Sequence, residues 1–153
     1  MWQHISERPE FIPQLASWFH TEWGFYNPKR TIEIRCKELE ARNNQRILPT
    51  TMVSTMGDEL LATYSLDISD LPIRPHLSPW LASVYVNPQH RNKGLGTLLV
   101  KKSLEHAKAL GFDTLYLFTS NRAHWYGSMG WQFMEEAEYP PKEVITIMKY
   151  HQK

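Results

Sequence analysis

The spacing of apolar residues switches between the helical and the extended period along this chain, and the switches mark its elements. From Pro9 to about Trp23, Phe11, Ile12, Leu15, Ala16, Trp18, Phe19 and Trp23 recur at helical spacing. That predicts an amphipathic helix ended by Gly24, with Tyr26-Asn27-Pro28 as a loop. Thr31 to Arg42 reads as a second helix, with Thr31 as N-cap, Ile34 and Leu39 inward and charges outward. Trp2 to Ile5 fits a short strand. Thr50 to Met56 and Glu59 to Asp67 flank the turn Gly57-Asp58 and predict a hairpin. Trp80 to Val86 is apolar on both faces apart from Ser83, as a buried central strand requires. A long helix begins near Gly94, with Leu95, Leu98, Leu99, Ala107 and Leu110 on one face. Lys101, Lys102, Glu105 and Lys108 lie on the other, and Gly111 stops it. Thr114 to Thr119 is a further strand. Trp131 to Tyr139 and Glu143 to Tyr150, parted by Pro140-Pro141, read as a closing hairpin.

The stretch from Trp80 to Thr119 therefore reads strand, basic turn, helix, strand: one βαβ unit. A helix starting near Gly94 leaves its first backbone N–H groups without intrahelical partners, and its dipole adds positive charge there. Gly94 and Gly96 remove Cβ atoms that would hold a bulky anion off the backbone. Arg91 and Lys93 flank the turn, and no Asp or Glu lies between Asp70 and Glu105. The turn is built for phosphate. It is not a Walker A loop, because Lys93 precedes the glycine, and not a dinucleotide fingerprint, because position 99 is Leu.

Composition narrows the classes. A chain of 153 residues fits one domain, 1–153, with room for a core. A net charge of +1 gives no support for nucleic-acid binding by bulk electrostatics. The single Cys36 rules out an internal disulfide framework and suits a reducing cytosol, so a cytoplasmic location is expected. No secretory leader is read, since Arg8, Pro9 and Glu10 interrupt the N-terminus. No uninterrupted apolar stretch approaches the roughly 18 residues of a membrane span. No metal-ligand pattern stands out.

Arg91-Asn92-Lys93-Gly94-Leu95-Gly96-Thr97 after the Val84-Tyr85-Val86 run resembles the acetyl-CoA loop of the GNAT N-acetyltransferase superfamily. Asn121 to Trp131, with Tyr126-Gly127-Ser128-Met129-Gly130-Trp131, is similar to that family's signature of a tyrosine ahead of Gly-Phe/Trp. The resemblance implies an α/β fold of the mixed α+β kind: a central, mostly antiparallel sheet with one splayed parallel strand pair and flanking helices. It implies acetyl-CoA as donor, with the backbone amides of Arg91 to Thr97 on the pyrophosphate, Val84 to Val86 along the pantetheine, and Asn121 as a further contact. A backbone N–H, that of Val84, would polarise the thioester carbonyl. Tyr126 becomes the proton donor to the leaving thiolate.

The resemblance further implies an acceptor that is an amine-bearing small molecule or a peptide N-terminus, taken by direct attack in a ternary complex. Glu22, Trp23, Tyr26, Asp70 and Trp80 are its candidate contacts. The loop from Ser69 to Pro79, with three prolines in eleven residues, is stiff and could bring Asp67, Asp70, Arg74 and His76 to the acceptor. Where some relatives carry a Glu base this chain has Phe118 and Thr119, so the base stays open among Glu22, Asp67 and Asp70. The competing reading is a non-catalytic CoA-binding regulatory module. A homodimer is compatible with either.

Overall fold

The apolar runs assemble into one mixed sheet, in a computed structural model that describes residues 2–139 and 143–153. Its strands are β1 (Trp2–His4), β2 (Thr50–Met56), β3 (Glu59–Asp67), β4 (Trp80–Val86), β5 (Thr114–Thr119), β6 (Gln132–Tyr139) and β7 (Glu143–His151). They lie in the order β1-β2-β3-β4-β5-β7-β6. Every pairing is antiparallel except β4 with β5. The expected turn at Pro140-Pro141 lies outside the described residues.

Helices cover both faces, because strand side chains alternate and both sets are apolar. On one face α1 (Ile12–Trp23) and α2 (Ile32–Glu40) pack Phe11, Leu15, Phe19 and Leu39 over Val53 and Leu60. On the other, α3 (Leu95–Ala109) sets Leu99, Val100 and Ala107 on Tyr64, Leu66, Leu81, Leu115 and Met148. A short α4 (Ala123–Ser128) adds Tyr126 to that second core. A third cluster, Leu71, Trp80, Ile145 and Ile147, plugs the middle of the sheet from the proline-rich loop.

The termini follow local chemistry. Thr31 caps α2 by accepting from the Ile34 N–H at 3.2 Å. Gly94 precedes α3 at φ +79° and Gly111 follows it at φ +90°, conformations that a Cβ penalises.

Two facing expectations are corrected. Leu98 is 59% exposed, because the buried stripe of α3 runs through Leu99, Val100, Ser103 and Ala107, and Leu98 sits one ~100° step off it. Ile34 is exposed, whereas Arg35, expected outside, is buried. Arg35 stands four residues before Leu39, so the two share the stripe of α2 that faces inward.

Candidate active site between β4 and β5

The parallel pair separates almost at once. Its register is Trp80 opposite Tyr116, held by a hydrogen bond from Tyr116 N–H to the Pro79 carbonyl at 3.0 Å. On the other side of β4, Thr63 pairs with Tyr85 and Ser65 with Ala82, so Ser83 and Val84 together oppose Tyr64. This is a β-bulge, and Ser83 takes φ +53°, an uncommon backbone state for a residue with a side chain. A bulge bends its strand. Beyond Trp80, β4 and β5 border a cavity of about 590 Å³ lined by Leu81 to Val84 on one side and Leu117 and Phe118 on the other.

Tyr126 lines the same cavity at 7% exposure. It reaches there because α4 is only six residues long and begins directly after the β5 end. Burial pushes the Tyr126 phenol up to about 12, with Arg122 opposing the shift. The hydroxyl stays protonated at neutral pH.

Opposite Tyr126 the wall is aromatic and charged. Tyr26 stacks on Tyr139 with centroids 4.5 Å apart and meets Phe118 edge-on at 6.2 Å. Burial, with Glu143 adding to it, raises the Tyr26 phenol to about 12. Trp23 completes this side.

Asp67 ends β3 and Asp70 follows in the proline-rich loop; both line the cavity. Arg42 pairs with Asp67 at 3.3 Å, and its Nη1 donates to Thr51 Oγ1 at 2.8 Å and Ser65 Oγ at 3.2 Å. Burial raises Asp67 against the pull of Arg42. Burial also raises Asp70, to about 7, with the neighbouring Asp67 charge next in weight. Arg30 pairs with Glu38 at 2.8 Å, and Arg35 from α2 enters the cavity beside them.

The turn ahead of α3 lies outside this cavity, beyond the end of β4. Asn92 at φ +65° and Gly94 at φ +79° alternate with Lys93, and nothing stands within 4 Å of a Cβ placed on Gly94. Gly94 provides no side-chain cap, so the first amides of α3 keep their donors for a ligand. Lys93 and Thr97 are exposed, and Leu95 is half-buried against the second core. Gly96 has a packing reason that the sequence did not show. A Cβ there would lie 3.2 Å from the Trp125 ring, so the missing side chain lets α4 close on α3. Arg91 folds back, its Nε donating to the Val86 carbonyl at 3.0 Å and its guanidinium lying 5.2 Å from the Tyr85 ring. Tyr85 points to the face of α1, where it meets Trp18 at 4.7 Å.

Of the residues expected at the acceptor, Trp23, Tyr26 and Asp70 line the cavity and Glu22 does not; Glu22 is exposed. Trp80 is fully buried in the third cluster, its Nε1 donating to the Leu77 carbonyl at 2.7 Å. Asn121 is exposed and outside the lining. Arg74 pairs with Glu135 on β6, and His76 is exposed, so neither joins the cavity. Arg35 on α2, and Arg30 and Arg42 just beyond its two ends, escaped the sequence reading because an arginine among polar residues reads as solvated. The bulge at Ser83 had a faint signal, the one polar residue of an apolar strand.

A family model described as the acetyltransferase (GNAT) family matches residues 12–131. An amino-acid acetyltransferase of Pasteurella multocida is 35% identical over 63 residues, covering 41% of this chain and 14% of that protein. Another, from Pseudomonas aeruginosa, is 38% identical over 61 residues, covering 40% and 14%. The chain thus matches about a seventh of the length of these relatives. Among solved structures, an aminoglycoside 6'-N-acetyltransferase complexed with coenzyme A superposes with TM-score 0.75 at 15% identity, over 99% of this chain and 96% of the other. A GNAT-family acetyltransferase from Streptococcus pneumoniae gives 0.71 at 16% identity, over 100% and 99%.

Proposed function

The chain belongs to the acetyltransferase (GNAT) family, and we propose that it transfers an acetyl group from acetyl-CoA to a primary amine by direct attack in a ternary complex. The observation that carries this reading is one cavity holding Tyr126, Asp70 and the opened edge of β4 together. Acetyl-CoA fits the residues present: the uncapped N-terminus of α3 with open space at Gly94 suits its pyrophosphate. The separated strands offer Val84 to Val86 to an extended amide-bearing arm. When bound, the thioester supplies an activated acyl carbon and a thiolate leaving group.

The chain's own groups then divide the work. The amide N–H of Val84 polarises the acyl carbonyl. Asp70 takes one ammonium proton, which frees the nitrogen lone pair to form the new N–C bond, and the second proton that nitrogen must shed to become an amide leaves to solvent as the C–S bond breaks. As the C–S bond breaks, the Tyr126 hydroxyl hydrogen-bonds to the departing sulfur. A phenol near pH 12 stabilises that thiolate by donation and is not consumed as an acid at neutral pH.

The test is thiol release with acetyl-CoA and a panel of small amines and peptide N-termini. Release with at least one acceptor, falling in Tyr126→Phe while acetyl-CoA affinity is kept, bears the reading out. Tight acetyl-CoA binding without release for any amine would leave a non-catalytic CoA-binding module.

A further inference from the structure

Among the described residues, the ionic groups lining the cavity do not all find partners. They are three carboxylates, Glu38, Asp67 and Asp70, and three guanidiniums, Arg30, Arg35 and Arg42. Arg30 is taken by Glu38 and Arg42 by Asp67. One of each sign is left over. Among the described residues, neither Asp70 nor the Arg35 guanidinium has a hydrogen-bond or ion-pair partner.

Arg35 is the more telling of the two. It is 5% exposed, and its Nε is buried without an acceptor. Burying a guanidinium unpaired is costly, and arginines so placed in folded proteins are held by carboxylates or phosphates. Its nearest acid, Glu38, is already engaged by Arg30 at 2.8 Å. Burial first and the Arg30 charge next work against the charged form of Arg35, with Glu38 only partly offsetting them, and an anion in the cavity would add to that support. The planar fork of arginine suits a carboxylate, which it grips with two parallel N–H donors.

We propose that the acceptor amine itself carries a carboxylate, as a free amino acid does, with the carboxylate held by Arg35 and the ammonium directed to Asp70. This rests on the acetyltransferase reading and narrows its substrate class. The two leftover charges then each meet their complement on one zwitterionic molecule. A simple alkylamine or a diamine would leave Arg35 buried and unpaired. Arg35 is a binding and specificity residue here, with no part in the proton transfers.

The experiment uses the full chain and matched acceptors: protein L-amino acids, their carboxamides and their decarboxylated amines. Thiol release gives kcat/KM for each, and calorimetry in the presence of CoA gives acceptor affinity independently of turnover. The best carboxylate-bearing acceptor is expected to exceed its own carboxamide by at least tenfold in kcat/KM. In Arg35→Met that ratio should collapse to within about twofold, through loss of the acid acceptor alone, and Arg35→Lys should restore part of it. The melting temperature of unliganded Arg35→Met should stay level or rise, since an unpaired buried charge has been removed. Equal preference for acid and carboxamide in the unsubstituted protein overturns the proposal, as does an Arg35→Met loss shared equally by both. Absence of turnover with every amine would count against the catalytic reading, and the calorimetric preference would still decide the role of Arg35. Weakened acetyl-CoA binding in Tyr126→Phe or Gly94→Val bears on the donor side and leaves this ratio unaffected.

Discussion

Burial moves Tyr126 and Asp70 in the same direction, with opposite consequences for chemistry. The phenol, raised to about 12, stays a hydrogen-bond donor at neutral pH; the carboxyl, raised to about 7, exchanges its proton near neutrality, as the proposed base requires. Tyr126→Phe should lower kcat by about 10²-fold or more, the usual range for one such group, with acetyl-CoA affinity unchanged by calorimetry. Asp70 makes a pH prediction on two readouts. Turnover should rise through an acidic limb near pH 7, and Asp70→Asn should remove that limb. Because the folded pKa lies above the ordinary carboxylate value, the contribution of Asp70 to stability is present at low pH and is lost as pH rises through about 7. Melting of Asp70→Asn should therefore gain on the unsubstituted protein from pH 4 to pH 8. A constant difference across that window would show that Asp70 is not perturbed. Tyr126 was singled out by its resemblance to the family's tyrosine ahead of Gly-Phe/Trp, and it lines the cavity. Asp70 stood among three candidate bases, and only burial beside Asp67 separates it from Glu22.

Among the elements, the N-terminus of α3 carries its own predictions. Gly94 at φ +79° lies where a side chain costs about 1–2 kcal/mol, and its Cβ would project into the open space where the anion is proposed to sit. Gly94→Val should weaken acetyl-CoA binding at least tenfold by calorimetry, with a melting shift of only a few degrees. Gly96 answers to packing. Gly96→Ala should destabilise the protein when Trp125 is present and much less in a Trp125→Ala background, a coupling that a double-mutant cycle reads directly. Additive losses would remove Trp125 as the reason for the glycine. The glycines themselves were legible as a turn and helix start, because left-handed φ and missing Cβ atoms are local properties. That Gly96 packs against a tryptophan while Gly94 borders open space depended on where α4 came to rest.

For the molecule as a whole, the site exists because β4 is bent on one side and buttressed on the other. Trp80 anchors the position where β4 pairs with β5 against Leu71, Ile145 and Ile147 before these two strands part. Trp80→Ala should cost about 3–5 kcal/mol, the usual range for an emptied tryptophan site, and lower the melting temperature by roughly 10 °C. At a temperature where the variant is folded, its acceptor KM should be nearly unchanged, because Trp80 does not line the cavity. A large rise in KM with little loss of stability would return it to the substrate site. Among the described residues no helix is long and apolar enough to cross a membrane.

Apolar periodicity, capping residues and the glycine turn determined on their own the order of elements, the bounds of β2 to β5, and the βαβ unit with its anion-seeking helix start. Such features are set by forces acting over a few residues: backbone sterics, unpaired N–H groups, and alternation between water and core. Tertiary structure alone decided which charges are paired. Arg42 meets Asp67, Arg30 meets Glu38, and Arg35 and Asp70 are left facing one cavity. In sequence Arg35, Glu38 and Arg42 read as outward charges, Arg30 drew no reading, and Asp67 and Asp70 stood only as candidates for the acceptor side, because the energy of an ion depends on how much water the fold leaves around it and on which partner arrives from a distant element.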